Sequence, residues 1–144
     1  EEFESLSFWD AFDYIGLNSY YPLSDLDNPT DKDLLAGARA VVRRMEKIQK
    51  RYDKPILLTE IGYPNSPAPW KLPYQEDRRA PASPADQARC YKAMVEALSG
   101  ADWLKGIYWW KWPSYLDRGG MDHRGFTPNR KLAEQVVADW YKSF

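Results

Sequence analysis

The chain has 144 residues, enough for one domain with a substantial core, and 20 Lys+Arg against 21 Asp+Glu give a formal net charge of −1. That balance offers no basic surface for nucleic acid or an anionic membrane, so neither is expected as a partner. No apolar run approaches the roughly 20 residues of a membrane-spanning helix.

The single cysteine, Cys90, excludes an internal disulfide or a cysteine metal cluster and reads as a plain thiol in a helical pattern. No metal or cofactor is expected. Aromatic residues make up 15% of the chain, with seven Trp and ten Tyr. Such side chains fill cores, but indoles beside polar groups also stack on the C–H faces of sugar rings.

In chain order, Ser7 to Phe12 reads as the tail of a short helix. The stretch "DYIGLNSYYPL" (Asp13 to Leu23) has the β-branched and aromatic content of a strand. Alternation puts Gly16, Asn18 and Tyr20 on one face, Ile15 and Leu17 on the other. After a polar turn, Thr30 or Asp31 is placed to cap a helix over about Lys32 to Arg51. Its apolar residues, Leu34, Leu35, Ala38, Val41, Val42, Met45 and Ile48, recur at helical spacing. "KPILLTEIGY" is a second strand, continuously apolar as in parallel sheets covered on both faces. A loop from Pro64 to about Ser83 holds five of the eleven prolines together with Trp70 and Tyr74. Loops of this length in compact domains are usually functional. Ser83 and Pro84 then open a helix to about Leu98. "WLKGIYWWKW" is the third strand, and a second loop leads to a last helix over about Lys131 to Tyr141.

Alternating strands and helices predict an α/β fold with parallel strands. Active residues in such folds gather at the C-terminal ends of strands. Asn18 and Tyr20, then Glu60, then Trp109, Trp110 and Trp112 occupy such positions.

"FWDAFDYIGLNSYYPL", "KPILLTEIGYPNS", "GIYWWKW" and "GFTPNRKLAEQVVADWY" together resemble the last three strand–helix units of a (β/α)8-barrel glycoside hydrolase. The likeness is to family 113 endo-β-mannanases and related barrels of the same clan, and it runs over nearly the whole chain. It implies strands six to eight of the barrel and retaining hydrolysis of a β-linked polysaccharide. By that likeness Glu60 is the catalytic nucleophile, and Tyr20 hydrogen-bonds its carboxylate and keeps it charged. Asn18 lines the same face, Trp110 and Trp112 floor the subsite of the attacked sugar, and Trp70 and Tyr74 flank neighbouring subsites.

The chain also departs from the family's pattern. The clan's acid/base residue is a Glu in an Asn-Glu pair, and this sequence holds no such pair. Residues 1–144 are therefore expected to be one partial barrel domain carrying the nucleophile but not the acid/base, inactive as an isolated monomer. Its partners would be the glycan and either the remaining part of the barrel or a second copy covering its strand edges. Glu76, Asp117 and Asp122 read as loop acids in solvent or turns, and His123 beside Asp122 as no triad or metal site. The competing function, from a different class, is a non-catalytic glycan-binding or assembly module that keeps the Trp platforms.

Overall fold

A computed structural model describes residues 2–77 and 79–143. The elements follow in the order α1 (Glu2–Ser5), a single 3-10 turn (Trp9–Ala11), β1 (Ile15–Ser19), α2 (Asp31–Tyr52), β2 (Ile56–Ile61), α3 (Pro84–Leu98), β3 (Leu104–Trp109) and α4 (Leu132–Tyr141). The three strands form one parallel sheet in the order β1-β2-β3, with a helical crossover between neighbours. The three predicted strands and three long helices all form, and the predicted helix tail before β1 is the 3-10 turn.

Local chemistry explains the boundaries. Thr30 caps α2 through a reciprocal box: its hydroxyl accepts from the Asp33 N–H at 3.2 Å, and the Asp33 carboxylate accepts from the Thr30 N–H at 2.8 Å. Asp53, in the left-handed region at φ 50°, ends that helix. Pro84 occupies the first turn of α3, where its missing N–H costs nothing.

The helices cover one face of the sheet. Ile15, Leu17, Ile56, Leu58 and Ile61 are buried there against Leu34, Ala38 and Met45 of α2 and Tyr91, Met94 and Leu98 of α3. The other face, with Gly16, Asn18, Thr59 and Tyr108, is exposed in this chain.

Register determines what reaches that open face. Leu17 pairs with Leu58, yet Asn18 pairs with Glu60; towards β3, Leu58 pairs with Ile107 and Ile61 with Trp109. Between these pairs β2 carries one residue more than either neighbour, a β-bulge at Thr59 and Glu60. Unbroken alternation would send Glu60 to the helix side with Ile56 and Leu58. The extra residue turns Glu60 to the open face and gives the buried position to Ile61.

Candidate active site

Glu60 and Tyr20 meet at the C-terminal ends of adjacent strands. The Tyr20 hydroxyl donates to Glu60 Oε2 at 2.8 Å. Tyr20 is half-buried, and its ring meets Phe126 edge-on at 6.1 Å, which fixes its direction. Burial drives the ionisation of the phenol far above its ordinary value, and the hydrogen bond to Glu60 and the nearby negative charge push the same way. Tyr20 thus stays a donor. Among the described residues, Oε1 of Glu60 takes no hydrogen bond.

Asn18 lies beside this pair on the open face, where its Oδ1 accepts from the Thr59 hydroxyl at 2.8 Å. The bulge thereby acquires a side-chain tie to β1. On the other side, Trp110 follows β3 directly, and its N–H donates to the Ile61 carbonyl at 2.7 Å. Its own carbonyl passes so close to Gly62 that a Cβ there would lie 2.0 Å from the oxygen. Glycine is required by this approach, and Trp110 is held against the residues that follow Glu60.

The structure separates the aromatic candidates. Trp110 and Trp112 are 40% and 39% exposed, and Tyr74 is 62% exposed, so all three present surface to solvent. Trp109 turns inward and stacks on Tyr91 at 5.1 Å, which removes it from the strand-end group. Trp70 is corrected as well. It is only 3% exposed, donates its Nε1–H to the Leu26 carbonyl at 3.0 Å and carries the Arg89 guanidinium over its ring. Its carbonyl accepts from the Leu23 N–H at 2.8 Å. A ring enclosed in this way pins the β2–α3 loop to the β1–α2 loop and offers no face to a sugar.

Buried amides hold the remaining loops. Gln87 donates to the carbonyls of Tyr63 and Phe126 at 2.8 and 3.0 Å, and Asn65 to those of Met121 and His123 at 2.7 and 3.0 Å. Asn129 does the same for Leu116 and Arg118. Thr59 and these amides stand out by no sequence pattern, and Gly62, the glycine directly after "TEI", is the one local signal of the close approach. Among the described residues no group of three or more His, Cys, Asp or Glu is placed to hold a metal ion.

A carboxylate with a half-buried phenolic donor, at the C-terminal ends of parallel strands beside an exposed indole, is a site where a carboxylate oxygen can be aimed at a sugar ring. The family model of Glycoside Hydrolase Family 113 matches residues 1–142. The chain belongs to this family. A family 113 β-mannanase from Alicyclobacillus acidocaldarius is 26% identical, with a TM-score of 0.82 over 99% of this chain and 42% of its own. A second solved family 113 β-1,4-mannanase is 27% identical, with a TM-score of 0.81 over 99% of this chain and 43% of that one. A probable arabinogalactan endo-β-1,4-galactanase A from Aspergillus tubingensis is 27% identical over 111 residues, 76% of this chain and 29% of its own. The chain spans about two fifths of the length of these solved family 113 structures. Its fold is accordingly three strand–helix units of a (β/α)8 barrel, as the sequence motifs imply.

Proposed function

We propose that this chain is the nucleophile-bearing part of a retaining β-glycan hydrolase, an endo-β-1,4-mannanase, with Glu60 as the nucleophile. The observation that carries the reading is the 2.8 Å bond from Tyr20 to Glu60 at neighbouring strand ends. Retaining hydrolysis needs a charged carboxylate rigidly aimed at the anomeric carbon and a second carboxyl group about 5–5.5 Å away. Tyr20 occupies Oε2 and leaves Oε1 to form the glycosyl bond. Trp110 and Trp112 supply apolar floor for the attacked sugar, Tyr74 flanks a neighbouring subsite, and Asn18 bonds hydroxyls from the β1 side. The acid/base carboxyl comes from the part of the barrel outside residues 1–144.

Two features support a completing part. Barrel strands are covered on both faces, whereas here the face carrying Gly16, Asn18, Thr59 and Tyr108 is open. A recess of about 390 Å³ also runs along β3, lined by Leu104, Gly106 and Ile107 with Trp140 and Tyr141. It lies on the sheet edge where a further strand and helix would pack. Residues 1–144 then act as one partial domain of a larger barrel.

The test is covalent trapping with a fluorinated β-mannosyl donor on the protein carrying its complete barrel, followed by peptide mapping. The sugar is expected on Glu60, and a sugar attached to any other residue overturns the assignment. Tyr20→Phe is the companion variant. Loss of one hydrogen bond to a charged group costs about 1.5–3 kcal/mol, so kcat should fall roughly 10- to 150-fold with folding intact. An unchanged kcat would remove Tyr20 from the mechanism.

A further inference from the structure

We propose that a second recess, beside the Glu60 site, binds a carboxylate carried on the glycan, so that the substrate includes an acidic sugar unit. The inference rests on the hydrolase reading above and specifies its substrate class.

The recess holds about 160 Å³ and is lined by Glu76 from the β2–α3 loop and by Lys111, Arg118, His123, Gly125 and Thr127 from the β3–α4 loop. It adjoins the nucleophile's surroundings through two links. Lys111 follows Trp110 and places its ammonium 5.7 Å from the centre of that ring. Phe126, which packs on Tyr20, stands between Gly125 and Thr127. Glu76 and His123 converge on one point from different loops: a Cβ on Gly125 would lie 3.3 Å from Glu76 Oε1 and 2.8 Å from His123 Cε1. A bare glycine keeps the recess open.

Donors dominate its chemistry. The Gly125 N–H donates to His123 Nδ1 at 3.3 Å, so in the neutral ring the proton sits on Nε2, which remains a donor. Burial and the adjacent Lys131 hold the His123 pKa below the ordinary imidazole value, so the ring is neutral near pH 7. Lys111 and Arg118 carry donors only. Lys131 is 5% exposed, with its ammonium donating to the Gly125 carbonyl at 2.8 Å. Burial lowers its pKa to about 8, and the Glu76 charge opposes that shift. Among the described residues that line the recess or lie against its Gly125 wall, Lys111, Arg118 and Lys131 are cationic at pH 7 and Glu76 is acidic. A carboxylate of the ligand accepts from the Arg118 fork or the Lys111 ammonium together with His123 Nε2–H, and it offsets the excess charge. A neutral hydroxyl leaves that excess uncompensated.

The experiment uses ¹⁵N-histidine-labelled protein carrying its complete barrel, with the His123 ring resonance assigned by its loss in His123→Gln. Sodium glucuronate is titrated against mannose at matched ionic strength. Glucuronate should shift the His123 resonance saturably, and Lys111→Met and Arg118→Ala should each weaken that binding at least tenfold. The proposal is overturned if mannose shifts the resonance equally, if glucuronate leaves it unmoved, or if both variants bind as before. Backbone amide spectra of the two variants verify that each remains folded. The readout needs no turnover, so its failure leaves sugar trapping on Glu60 intact. Failed trapping with an intact His123 shift would count against the hydrolase reading alone.

Discussion

Glu60→Gln, in the protein carrying its complete barrel, is expected to lower kcat on the order of 10⁴-fold or more while oligosaccharide binding stays measurable. The amide has nearly the shape of the carboxylate and keeps a carbonyl oxygen for the Tyr20 hydroxyl, so the strand ends keep their geometry. It loses the negative charge and the oxygen nucleophile, and no glycosyl–enzyme bond can form. Glu60 is half-buried and outside the helix-facing core, so the fold does not depend on its charge. Steady-state kinetics with calorimetric binding separates the two quantities. Loss of folding would show that Glu60 is a structural acid, and retained turnover would show that another residue attacks the sugar.

Gly62→Ala carries the second large effect, and it acts through position rather than chemistry. A methyl group at Gly62 would lie 2.0 Å from the Trp110 carbonyl oxygen and 3.1 Å from its carbon. Both are backbone atoms, so no side chain can rotate out of the way. Either Trp110 or the segment after Glu60 must move, at a cost of about 3 kcal/mol in stability. A misplacement of about 1 Å between nucleophile and sugar platform is enough for roughly 100-fold in kcat. Gly106→Ala serves as the control, because its Cβ would meet only the Leu57 Cδ2 at 3.2 Å, a side-chain tip able to shift. Denaturant unfolding and kcat should both separate the two variants. Equal effects would show that the Gly62 approach does not position Trp110.

Much of the fold is legible in the sequence because its signals are local. The Thr30 cap, the helical spacing of Leu34, Ala38, Val41, Met45 and Ile48, and the Ser-Pro entry to α3 each depend on residues within a few positions. The "YWWKW" cluster is legible only in part. Composition groups its indoles, whereas the strand sends Trp109 to Tyr91 and leaves Trp110 and Trp112 exposed. Trp70 misleads for a similar reason. A Trp in a long Pro-rich loop has the composition of a binding surface, and only contacts with Leu23, Leu26 and Arg89, distant in sequence, show that it is a pin. The recess around His123 was equally hidden, because Glu76, Lys111 and Arg118 carry no shared pattern until two loops fold together.

The sequence by itself determined the order of elements, the parallel α/β class, the likeness to the family 113 barrels, and the presence of Glu60 and Tyr20 near strand ends. Tertiary structure alone decided which way Glu60 points. Alternation along β2 sends it towards the helices, and the register against β1 and β3 inserts the bulge that brings it to Tyr20. A bulge is a mismatch in length between paired strands, so it exists only once the neighbouring strands are in place.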